Sequence, residues 1–191
     1  MNALPSGKSA VTQVFWGEIA PCEHMIQIYA EEAAFLDSLE GFICGGLRLN
    51  ESVIIIATAA HLNLLESRLL ALGFDLRAAR ERDQYITLEA QPLLEKFMVA
   101  GWPNDNLFKQ SIKDLLARAR KGGRRVRAFG EMVALLWSQG FNGATVRLEH
   151  LWHDLCKTET FCLFCAYPRI GFTQNSDASI KEICAAHSKV I

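Results

Sequence analysis

The chain has 191 residues, half of them hydrophobic and 21% charged, with a formal net charge of −1. This is the make-up of an ordinary soluble globular domain, large enough to hold its own core without disulfide or metal staples. It excludes a disordered or collagenous chain, and the even charge balance argues against a function led by nucleic-acid electrostatics.

Residues 1–21 mix Pro5, Gly7, Lys8 and Ser9 with a short apolar piece, Val14-Phe15-Trp16. They read as a leader packed on a single domain that occupies 22–191. The leader has no basic-then-apolar signal region, and no apolar run reaches the roughly 18 residues a membrane span needs. A cytoplasmic location is therefore expected, with no membrane partner.

His24–Tyr29 is a strand candidate, and from Glu31 to about Leu47 the residues Phe35, Leu36, Leu39, Phe42 and Ile43 recur at helical spacing. Glu51–Ala57 is the clearest strand, because its unbroken β-branched run suits a central parallel position covered on both faces. A helix follows over His61–Leu72, closed by Gly73, and then a short strand over Tyr85–Glu89. Residues 91–102, bracketed by Pro92 and Pro103, form a connecting segment or a short helix. Asn106 to about Arg120 is an amphipathic helix, Arg125–Phe129 a fourth strand, and Glu131–Gln139 and Thr145–Lys157 two further helices. Thr160–Tyr167 is a fifth strand, and Ala178–His187 a last helix. Such alternation predicts an α/β fold of three layers, a mainly parallel sheet with helices on both faces.

The basic run Arg118-Ala-Arg120-Lys121-Gly-Gly-Arg124-Arg125-Val-Arg127 sits where a helix should end and a glycine turn should lead into a strand. It is read as a structural run that complements the helix dipole, and no nucleic-acid partner is expected. Six cysteines in a reducing compartment are expected to be mostly free thiols, several of them buried. Cys162 and Cys165 have C-x-x-C spacing, but on a strand residues three apart face opposite sides, and no second pair completes a zinc site. His150 and His153, with Glu149 beside them, are read as a solvated helix face. No metal or cofactor is expected.

In an open parallel sheet, ligands bind beyond the carboxyl ends of the strands. Applied here, that rule gathers Tyr29, His61 behind Ala57-Thr58, Glu131 after Phe129-Gly130, and Tyr167 on one rim. Aromatic faces, a carboxylate and an imidazole suit a small polar or amphipathic molecule. His24 begins its strand and so belongs to the opposite edge. The sequence contains no G-x-x-x-x-G-K-[ST], G-x-G-x-x-G or G-x-S-x-G.

Two stretches carry a family resemblance. One runs from His24-Met-Ile-Gln-Ile-Tyr29 through Glu31-Glu32 to Phe42-Ile-Cys-Gly-Gly-Leu47 and Glu51. The other is Arg127-Ala-Phe-Gly-Glu131-Met-Val, then Leu136-Trp137, Leu148-Glu149 and Phe164-Cys-Ala-Tyr167. Together, over about residues 22–172, the chain resembles the MEDS domain, the sensory domain named from methanogens, methylotrophs and the dichloromethane-metabolism regulator. The resemblance implies a RecA/KaiC-like fold without a functional phosphate-binding loop. The bend after the first strand carries Glu31 and Glu32 where a phosphate needs donors. It also implies a signal-input role that senses a small organic ligand, a simple hydrocarbon derivative, and adds His24 and Cys165 to the ligand-binding set.

The leading expectation is therefore a stand-alone sensory domain rather than an enzyme. It would relay its signal to a protein partner such as a kinase or transcription regulator, or through a homo-oligomer interface. The alternatives are a ligand-free interaction module on a decayed ATPase fold, and an enzyme with residual nucleotide or thiol chemistry.

Overall fold

The structure is a computed structural model that describes residues 16, 19–20, 22–169 and 177–191. Strands β1 (His24–Tyr29), β2 (Ser52–Ala57), β3 (Tyr85–Glu89), β6 (Val126–Gly130), β7 (Cys162–Pro168) and β8 (Lys189–Val190) form one sheet in the order β3-β2-β6-β7-β1-β8. Every pairing in it is parallel. A separate antiparallel hairpin joins β4 (Met98–Val99) to β5 (Trp102–Pro103).

Helices cover both faces. α1 (Glu32–Arg48), α2 (Ala59–Ala71) and α3 (Leu76–Glu81) pack on one face with Met25, Val53, Ile55, Phe129 and Phe164. α4 (Ala90–Glu95), α5 (Asp105–Ala119), α6 (Met132–Ser138), α7 (Asn142–Thr158) and α8 (Asp177–Ala185) lie on the other side. There the core includes Ile26, Ile54, Ile56, Leu163 and Tyr167. The expected three-layer α/β arrangement is the observed one. Among the described residues, no helix is long and apolar enough to cross a membrane.

Three elements depart from the sequence reading. α3 is short and starts at a local cap, Asp75 accepting from Ala78 N at 2.9 Å, which an eleven-residue periodicity window blurs. Residues 91–102 hold α4 and most of a hairpin, whose turn places Ala100 and Gly101 at positive φ (49° and 77°) as tight two-residue hairpins require. β8 is two residues long, too short to leave a pattern. The leader falls largely outside the described residues, although Trp16 packs edge-on against Phe42 at 5.7 Å and Ile19 is buried.

The basic run ends α5 and turns at Gly122 and Gly123, both at positive φ, before entering β6. Its charges are mostly consumed at home. Arg118 and Lys121 pair with Asp83, Arg120 with Glu159, and Arg124 binds Ser52 Oγ and the Arg82 carbonyl. Arg127 is 2% exposed and forms an ion pair with the buried Glu51. Its Nη1 donates to the Trp16 and Phe42 carbonyls at 2.6 and 3.3 Å.

This buried guanidinium explains the Gly45-Gly46 pair inside α1. A Cβ on Gly45 would stand 2.7 Å from the Trp16 carbonyl oxygen, and one on Gly46 would stand 2.9 Å from Val53 Cγ2 and 3.0 Å from Arg127 Cδ. In an unconstrained helix, Gly→Ala gains about 1 kcal/mol. Here Gly46→Ala is expected to reverse that sign and cost about 1–3 kcal/mol through overpacking, as read from urea denaturation midpoints.

Candidate functional site

The six residues singled out from the sequence separate into two groups of three, on opposite faces of the sheet. Tyr29, His61 and Glu131 meet at the carboxyl rim. His24, Cys165 and Tyr167 meet inside the other layer, beneath α7. Tyr167 thus leaves the rim where it was expected. Its side chain is fully buried and donates its hydroxyl to Glu149.

At the rim, Glu131 follows β6 and opens α6, yet its carboxylate makes no cap bond to its own helix. Oε2 instead accepts from Thr58 N at 2.8 Å, at the N-terminus of α2, where the helix dipole favours an anion. Oε1 lies 2.8 Å from His61 Nδ1, and the opposite ring nitrogen, Nε2, lies 2.9 Å from Glu32 Oε1. One imidazole therefore bridges two carboxylates. The two differ in exposure: the Glu131 side chain is 9% exposed, that of Glu32 62%. Tyr29 stacks on Phe35 at 4.7 Å, and Phe35 meets the His61 ring edge-on at 5.1 Å.

The position follows from topology. β2 continues to β3 through helices on one face, and β6 continues to β7 through helices on the other. β2 and β6 are neighbours, so their carboxyl ends flank the crevice where crossovers change sides, and Thr58 and Glu131 stand at its two lips. The hydrogen bond that His61 donates to Glu131, helped by the carboxylate's charge, raises the His61 pKa above its ordinary value of 6.5. Desolvation, reinforced by Glu131 and Glu32, pushes the Tyr29 phenol up to about 12, so it remains a donor at neutral pH.

The internal group is larger than the sequence suggested. Cys165 Sγ lies 3.5 Å from His24 Nε2 and 3.9 Å from Glu149 Oε2. His187, between α8 and β8, brings its Nε2 to 3.5 Å from the same Glu149 oxygen. The His24 and His187 rings are 3.9 Å apart. Burial pushes the Glu149 carboxyl up to about 8 and lowers the His187 imidazole to about 4. It holds the Cys165 thiol and Tyr167 phenol well above their usual values.

Glu149 and His187 were not foreseen. The sequence places Glu149 with His150 and His153 on a solvated face, but Glu149 is fully buried, whereas the His150 side chain is 46% exposed. A signal did exist, since Glu149 falls between Leu148 and Leu151-Trp152 on the apolar stripe of α7. His187 lies beyond its helix and carries no periodic signature. Cys162 and Cys165 do face opposite cores, so they form no dithiol. All six cysteines are free.

The fold and these two clusters define an α/β domain with a parallel sheet, polar at one rim and within one of its cores. The family described as "MEDS: MEthanogen/methylotroph, DcmR Sensory domain" matches residues 23–188, and the chain belongs to that family. No curated protein matches it.

A pH dependence follows from His61. Because its pKa is raised by folding, its contribution is fully present below the unfolded value of 6.5 and is lost as pH rises through the folded value. Glu131→Gln is expected to lower stability by about 1–3 kcal/mol at pH 6, through loss of charged hydrogen bonds to Thr58 N and His61. The deficit should shrink above the folded His61 pKa. Denaturation midpoints measured across that range for both proteins check it.

Proposed function

We propose that this sensory domain binds a small organic molecule bearing a hydrogen-bond acceptor at the rim formed by Tyr29, His61 and Glu131, and signals by binding rather than by catalysis. The observation that carries this reading is the asymmetry of the two carboxylates on His61. Glu131 is buried and fixed by Thr58 N, while Glu32 is largely exposed. An incoming acceptor replaces Glu32 on Nε2, with the Phe35 and Tyr29 rings as its apolar wall. The first turn of α1, released from His61, changes position. That change is a population shift between two arrangements, passed to a kinase or regulator, or to a second copy of the chain, through surface contact.

His24 and Cys165, which the family resemblance adds to the ligand set, and Tyr167, which the strand-end rule places there, lie behind the sheet and take no part in this pocket. The same reading treats the fold as RecA/KaiC-like with its phosphate loop lost. Its support is the acidic bend after β1, where Glu32 holds an imidazole in place of a phosphate held by amides.

A thermal-shift screen of short-chain alcohols, carboxylates and halogenated hydrocarbons tests the reading. A ligand at a hundred times its Kd adds about 2.7 kcal/mol, roughly 5–10 °C for a chain of this size. His61→Gln and Tyr29→Ala are expected to abolish that shift. If it survives both, the rim is the wrong place. If Mg-ATP gives a shift that Glu131→Gln removes, the sensor reading gives way to a nucleotide-binding one.

A further inference from the structure

The internal cluster invites a different chemistry. We propose that His24, Glu149, Cys165 and His187 hold one Zn2+ ion as a closed, four-ligand site. Each residue offers one donor atom, and the four atoms lie within 4.8 Å of one another.

The spacing separates this from an ordinary hydrogen-bonded cluster. Glu149 Oε2 lies 3.7 Å from His24 Nε2 and 3.5 Å from His187 Nε2, beyond hydrogen-bond range. Tetrahedral zinc, with bonds of about 2.0–2.3 Å, places adjacent ligand atoms about 3.3–3.8 Å apart. The Cys165 distances of 3.5 and 3.9 Å fall in or next to that interval.

Orientation supports the same conclusion. His24 Nδ1 lies 3.1 Å from the Ala186 carbonyl, and His187 Nδ1 lies 2.6 Å from the Ile183 carbonyl. A carbonyl only accepts, so both rings carry their proton on Nδ1 and turn an Nε2 lone pair inward. This is how metal-bound imidazoles are held. His187 Nε2 is buried, with no hydrogen-bond partner among the described residues, and its side chain is 0% exposed. The other carboxylate oxygen of Glu149 accepts from Tyr167, which orients that ligand in turn.

Two nitrogens, a sulfur and one carboxylate oxygen favour a borderline ion such as Zn2+ over Mg2+ or Ca2+, which require oxygen. A cavity of about 280 Å³, walled by His153, Cys156 and Lys157 and lined by both imidazoles, supplies the path in. Four protein ligands leave no open position, so the ion clamps rather than catalyses. It ties the segment between α8 and β8 to β1, β7 and α7. The site lies on the far face from the rim, and neither proposal depends on the other.

Untagged protein, stripped with a chelator and reloaded with Zn2+ or Co2+, provides the test. The expected result is one equivalent per chain, and for Co2+ a tetrahedral d–d spectrum with a thiolate charge-transfer band. Cys165→Ser should lose that band while Cys162→Ser, on the opposite face, and His61→Gln, at the rim, keep it. Tyr167→Phe should weaken Zn2+ binding about 10–100-fold, as removal of an outer partner does, and His187→Gln by more. Uptake below one equivalent, an octahedral spectrum without a thiolate band, or wild-type affinity retained in Cys165→Ser and His187→Gln would each overturn the assignment. The wild-type cobalt spectrum decides the matter even if a variant fails to fold.

Discussion

The molecule is organised by the pleat of two adjacent parallel strands. Successive side chains of a strand point to opposite faces, so β1 and β7 each sort their polar residues into one layer or the other. In their shared register Ile26 pairs with Cys165 and Ile28 with Tyr167. His24, Cys165 and Tyr167 therefore belong to one layer, while Gln27, which binds Ser38 on α1, and Tyr29 belong to the other. Two residues of a single six-residue strand thus serve sites that never touch. Leaving a buried polar group unsatisfied costs about 1–3 kcal/mol, so each layer has to supply partners for its own set. The rim does so with His61 and Thr58, and the internal cluster with backbone carbonyls and Tyr167, except at His187 Nε2, which has no hydrogen-bond partner among the described residues.

The two edges of the sheet are fastened by different devices. At the amino edge, Arg127 and Glu51 form a buried pair, and the glycines of α1 let that helix settle against the guanidinium. A buried pair of this kind contributes little net stability, because desolvation offsets most of the attraction, although removing one partner costs about 3–5 kcal/mol. Its effect is geometric, since Arg127 ties β6 to the carbonyls of Trp16 and Phe42 and thereby fixes the depth of α1. At the carboxyl edge, the Glu131–His61–Glu32 chain joins the ends of β6, α2 and α1. α1 is thus gripped by a buried network at one end and by a half-exposed one at the other.

This division also explains what the sequence makes legible. The β1 and β3 spans, the α/β class and the opposed C-x-x-C cysteines follow from local period and composition, because each is decided within a few residues of chain. The rim trio is legible too, since a topological rule places strand ends together without side-chain detail. Tyr167 obeys that rule by position but not by direction. It ends its strand near the rim, yet strand parity turns it inward toward Glu149. Glu149 and His187 are hidden for a related reason. Their side-chain partners in the cluster lie 16 or more residues away in sequence, and a buried acid on an apolar stripe signals its importance only once a neighbouring strand is known to present a cysteine and a phenol to it.

The contrast between the clusters bears on which of them carries a signal. A ligand shifts an equilibrium only by its differential affinity for two states, so a sensing element has to possess a second arrangement of comparable energy. The internal cluster offers little room for one, because its groups are locked by carbonyls on one side and by the sheet on the other. Displacing any of them strands a buried donor or acceptor. At the rim, Glu32 surrenders one largely exposed contact and regains water, a change whose net cost is small because exposed ion pairs contribute about 0–1 kcal/mol. On the proposed reading, the rim is therefore the element that moves, and the internal cluster is the fixed body against which that movement is felt.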